Sequence, residues 1–71
     1  MFREITSETH LKKGDWVREK STGKISQIGN LIDGKYELKP DGKSTIIRSR
    51  MAFVAERNWL EKTYEIQINE L

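Results

Sequence analysis

The chain has 71 residues, no cysteine, one histidine and a formal net charge of +2 from 13 basic and 11 acidic side chains. That length bounds it to a single small domain spanning residues 1–71, and the lack of cysteine removes disulfides and thiolate-held zinc as sources of extra stability. No apolar run approaches the roughly 18 residues of a membrane span and no secretory signal follows Met1, so a cytoplasmic protein is expected.

Hydrophobic content is only 35%, yet the apolar residues are periodic, which fits a folded domain with a solvated surface better than a disordered one. Residues 1–5 alternate weakly and predict a short strand with Phe2 and Ile5 turned inward. Thr6 and Ser7 are candidate helix N-caps, so residues 6–13 predict one helical turn with Leu11 packed inward and Gly14 ending it. Residues 15–20 read as a strand with Val17 in the core and Trp16 and Arg18 on the opposite face.

A turn follows at residues 21–24, where Gly23 supplies positive φ. Residues 24–32 form the next strand, and the break in alternation near Gly29 predicts a bulge. Asp33-Gly34 is a two-residue hairpin signal. Residues 35–39 then place Tyr36 and Leu38 on one face, with Glu37 and Lys39 on the other. Pro40-Asp41-Gly42 is a further turn, and residues 43–48 carry the β-branched run Thr45-Ile46-Ile47 of a fourth strand. Residues 49–52 suggest a short 3₁₀ turn and residues 53–56 a closing strand. In residues 63–69, Tyr64, Ile66 and Ile68 alternate with polar residues, predicting a strand that pairs with residues 1–5. A helix from Asn58 onward is the alternative. Three hairpin-like turns at about ten-residue spacing indicate an all-β barrel or sandwich.

Charge is unevenly spread along the chain. Residues 12–50 hold ten basic and five acidic side chains, whereas the flanking segments are net acidic. An ordinary mixed surface produces such a distribution, and so does a basic face for nucleic acid or an acidic protein surface.

The order of these signals, Gly14-Asp15-Trp16-Val17, a Gly23-Lys24 turn, a glycine-bent strand, an Asp-Gly hairpin and a 3₁₀-like turn before a last strand, resembles an SH3-like small barrel over residues 11–57. The resemblance implies a five-stranded barrel with a short helical turn and terminal strand extensions at residues 1–10 and 58–71. The outline is shared by KOW and Tudor-like modules, although KOW modules place glycine where Ser26 stands. Residues 14–21 are also similar to the first strand of plasmid type II dihydrofolate reductases. There, Glu19 replaces the substrate-facing lysine, and Thr45-Ile46-Ile47-Arg48 replaces the Val-Gln-Ile-Tyr run. The scaffold is shared but the site is absent, so reductase activity is only a remote alternative.

Other chemistry is equally thin. His10 has no neighbouring carboxylate or second histidine, and Gly23-Lys24 lacks the spacing of a phosphate loop. The expectation is a non-catalytic interaction module without cofactor or metal. In the nucleic-acid version Arg18, Lys20, Lys24, Arg48 and Arg50 contact phosphates, while Trp16 and Tyr36 offer stacking surfaces. In the protein-binding version an SH3-like groove or an edge strand takes a peptide. The acidic residues 58–71 could also pair two copies into a homodimer.

Overall fold

The computed structural model describes residues 1–42 and 54–68. Among these, six antiparallel strands form one sheet with a single short helix. The elements are β1 (Phe2–Glu4), β2 (Trp16–Glu19), β3 (Ile25–Ile32), β4 (Lys35–Pro40), β5 (Val54–Ala55), α1 (Arg57–Thr63) and β6 (Tyr64–Gln67). Their order across the sheet is β1-β6-β2-β3-β4-β5, so β1 and β5 are its two ends. The chain is mostly β, as its alternation predicts. The strand expected at residues 43–48 and the 3₁₀ turn at residues 49–52 lie outside the described residues.

The central meander follows from turn chemistry. Gly23 has φ +77°, and the Glu19 carbonyl accepts the Gly23 N–H at 2.8 Å, closing the β2–β3 turn. Asp33 and Gly34 both have positive φ between the paired Ile32 and Lys35, the primed geometry whose twist matches flanking strands. Pro40 occupies the second position of a turn closed by Gly42 N–H on the Lys39 carbonyl, with Asp41 at φ +53° in the third.

One face of this sheet is the core. Val17, Leu38 and Leu60 are fully buried and Ile28 nearly so, joined by Ile5, Leu11, Ala55, Tyr64 and Ile66. Val17 faces Ser26 on one side and Ile66 on the other, and Ile28 faces Leu38. The bulge at Gly29 is present: pairing jumps from Ile28↔Leu38 to Leu31↔Tyr36. Tyr36 and Leu38 share a face, so the jump carries Leu31 onto the same face as Ile28.

Two local expectations are corrected. Residues 6–9 form a β-turn and no helical turn: Thr9 N–H reaches the Thr6 carbonyl at 3.1 Å, and Thr6 N–H reaches Thr9 Oγ1 at 2.9 Å. Two threonines bonding each other's backbone offer this segment a better arrangement than a helix would. The C-terminal segment holds both readings at once, a seven-residue helix followed directly by a strand. Tyr64 and Ile66 turn inward as alternation requires, and β6 pairs with β1 on one side and β2 on the other. No helix among the described residues is long and apolar enough to cross a membrane.

Glu37 departs most from its sequence reading. It is only 1% exposed, on the face opposite Leu38. A bulge leaves an extra backbone N–H without a ladder partner, and Glu37 Oε1 accepts that of Asn30 at 3.1 Å. Gly29 makes room for it, since a Cβ there would lie 2.4 Å from the same oxygen.

Candidate functional site

Arg18 of β2 and Lys20, just past its end, are already engaged. Arg18 stands directly across from Glu65 on β6, and its Nη2 donates to Glu65 Oε2 at 2.7 Å. The guanidinium also lies 4.2 Å from the centre of the Phe2 ring, so one side chain ties three strands together. Lys20 Nζ reaches Glu4 Oε1 at 3.5 Å. Trp16 is half-buried against the turn after β4, where a Cβ on Gly42 would sit 3.0 Å from its indole edge. Packing therefore occupies much of the face on which sequence reading placed the phosphate contacts. Arg48 and Arg50 lie outside the described residues.

Tyr36 is placed differently. It is half-buried beside Leu31, its cross-strand partner, and Leu31 is 64% exposed. Together with Lys12, Lys13, Asn30 and the Gly29 backbone they line a cavity of about 220 Å³. Lys12 and Lys13 are exposed and make no ion pair among the described residues.

The segment that carries them is fixed by its backbone. Gly14, at φ +98°, turns the chain so that Asp15 N–H meets the Lys12 carbonyl at 3.1 Å, while Asp15 Oδ2 accepts Lys12 N–H at 3.0 Å. The Gly14 N–H bond to the Ile28 carbonyl at 2.8 Å holds this turn against β3 next to the bulge. Two ammonium groups with no ion pair among the described residues, an aromatic ring and an exposed aliphatic side chain thus line one end of the core face.

No protein-family model, curated protein or solved structure matches the chain.

Lys24 lies elsewhere, on the rim of a cavity of about 460 Å³ at the opposite end of β3. His10 is exposed, and no group of three His, Asp or Glu side chains able to hold a metal occurs among the described residues. Arg57 is a residue that sequence reading overlooked. Its Nη2 donates to the Thr6, Ser7 and Thr9 carbonyls, and its Nε donates to Glu61 Oε2 at 3.0 Å. It clamps the first loop to α1 across about fifty residues of sequence, a pairing with no local signal. A third groove runs beside β5, lined by Lys35, Val54, Ala55, Glu56 and the 41% exposed Trp59.

Proposed function

We propose that this chain is a non-catalytic module that binds single-stranded nucleic acid through the patch of Lys12, Lys13, Asn30, Leu31 and Tyr36. The observation that carries the reading is that two lysines with no ion pair among the described residues line one cavity with a reachable aromatic ring. Lysines supply the salt-sensitive attraction to phosphates. A base lying against Tyr36 and Leu31 adds about 1–3 kcal/mol of stacking that needs no particular sequence. A single strand suits this arrangement because its bases are free to reach a side chain set in a concavity.

The fold that accompanies this reading is an SH3-like small barrel. The Gly14-Asp15 approach, the β2–β3–β4 meander with its bulge and the short β5 after it support that assignment. Arg48 and Arg50, outside the described residues, belong to the nucleic-acid reading as phosphate contacts on sequence grounds alone. A second reading, a protein adaptor, draws on the groove beside β5. Among the described residues β5 ends the sheet, which suits addition of a partner strand.

Fluorescence anisotropy with a labelled single-stranded oligonucleotide tests the first reading. Binding should weaken as salt rises, and Lys12→Glu with Lys13→Glu should flatten the log–log salt slope by about 1.4, the share of two phosphate contacts on a single strand. Tyr36→Ala should weaken binding at every salt concentration. Unchanged affinity and slope in the lysine double variant would overturn the proposal. Binding of a proline-rich or extended peptide that Trp59→Ala abolishes would favour the adaptor reading.

A further inference from the structure

The usual structural reasons for an asparagine are missing at position 30. Asn30 lies within strand β3, where asparagine is disfavoured by propensity. Its φ is not positive, so the backbone does not require a residue that tolerates the left-handed region. Its side chain is exposed, and among the described residues its carboxamide makes no hydrogen bond. Asparagine in turns and caps ordinarily bonds nearby backbone, and this one does not.

The backbone that carries this free carboxamide is nevertheless held firmly. Asn30 N–H donates at 3.1 Å to Glu37 Oε1, and Glu37 is 1% exposed. The other oxygen of that carboxylate, Oε2, is buried without a hydrogen-bond partner among the described residues. A buried acceptor left unpaired costs stability. The chain thus carries a penalty at the point that fixes Asn30. Bulges recur beside functional sites because they re-aim a side chain, and a recognition group needs this kind of buried support.

Asn30 shares its cavity with Lys12, Lys13, Leu31 and Tyr36. The inference rests on the reading that the lysines take phosphates while a base lies against Tyr36 and Leu31. In an ordinary nucleotide conformation, the purine edge nearest the phosphate carries N7 and the exocyclic group. A carboxamide offers one donor, Nδ2, and one acceptor, Oδ1. On that edge adenine presents N7 as acceptor and N6–H as donor, which matches both at once. Guanine presents two acceptors there, cytosine a single donor, and thymine one acceptor beside a methyl group.

We propose that Asn30 determines the specificity of this patch, and that the strand it takes carries adenine at the stacked position. Nδ2 donates to adenine N7 while Oδ1 accepts from N6–H. Glu37 fixes the backbone from which the carboxamide reaches. The lysines supply affinity for any strand, and Asn30 supplies the choice among bases.

The test is fluorescence anisotropy at one salt concentration with labelled single strands of equal length. The probes are oligo-dA, the same strand built from 7-deazaadenine, oligo-dT and a repeat of dG-dT. Oligo-dA should bind about tenfold tighter than its 7-deaza counterpart, which keeps the stacking surface and loses the N7 acceptor. Asn30→Ala removes only an exposed side chain at a position without positive φ. It should weaken oligo-dA binding about tenfold while leaving oligo-dT affinity and the salt slope unchanged. Equal affinity for oligo-dA and its 7-deaza counterpart, oligo-dA binding unmoved by Asn30→Ala, or tighter binding of the dG-dT repeat than of oligo-dA would each overturn this inference and leave the phosphate-and-stacking reading in place. Lack of salt-dependent binding by every strand would overturn both.

Discussion

Replacing Gly29 by alanine tests how the bulge in β3 is held. Gly29 does not adopt positive φ, so alanine meets no backbone strain there. Its methyl would instead lie 2.4 Å from Glu37 Oε1 and 3.0 Å from Glu37 Cδ. A surface carboxylate would swing away, but Glu37 is 1% exposed and has no open space to enter. Moving it breaks the bond from Asn30 N–H, worth roughly 1.5–3 kcal/mol for a charged acceptor. Overpacking adds about 1–3 kcal/mol, while reduced freedom of the unfolded chain returns only about 0.4–1 kcal/mol.

The net is a loss of about 1.5–5.5 kcal/mol, comparable to the whole stability expected of so small a domain. Urea unfolding followed by tryptophan fluorescence measures it. With a slope near 1 kcal/mol per molar for a small protein, the midpoint should fall by about 1.5 M or more. Glu37→Ala supplies the second arm of a double-mutant cycle: once the carboxylate is gone, Gly29→Ala should cost less than about 1 kcal/mol. An equal penalty in both backgrounds, or a Gly29→Ala protein as stable as the parent, refutes the role assigned to Glu37.

Two further outcomes are expected. Val17 is completely buried between β3 and β6, so Val17→Asp should destabilise the domain by several kcal/mol; a β-type circular dichroism spectrum with an unshifted urea midpoint would contradict this. Because burial and the Glu19 charge raise the Tyr64 phenol above 10.0, an unfolded chain loses that proton first. Stability should therefore be level in this respect below pH 10 and fall as pH climbs from there toward the folded-state value. Tyr64→Phe should flatten that part of the urea-midpoint profile, and parallel profiles would refute the linkage.

Legibility in the sequence tracked how local each signal is. Val17, the Gly23 and Asp33-Gly34 turns and the bulge at Gly29 are set by alternation and backbone freedom within a few residues, and all appear as expected. Tyr64 and Ile66 likewise read correctly as inward positions of a strand, and Ile68 packs partly buried against the core just past its end. Helix α1 escaped a firm assignment because its seven residues bury only Leu60, leaving no repeat for periodicity to find. Long-range polar pairs were invisible. Nothing in the sequence near Arg18 announces Glu65, and a carboxylate such as Glu37 reads as surface unless the bulge it serves is seen. For the candidate site, Tyr36 was legible as an aromatic within a basic stretch of sequence, but its partners were not. Lys12 and Lys13 gain their importance from the Gly14 turn that brings them to the bulge.

The position of β6 between β1 and β2 has a consequence for how the chain folds. The β2–β3–β4 meander closes through turns of a few residues and assembles quickly, whereas Arg18 meets Glu65 across 47 residues. Among the described residues β1 pairs only with β6, so it too depends on a contact across most of the chain. Of the described strands, the earliest in sequence therefore pairs with the latest. Among the described residues, a chain halted before Tyr64 leaves the β2 edge of the meander bare and open to pairing with another chain, and the arrival of β6 covers that edge.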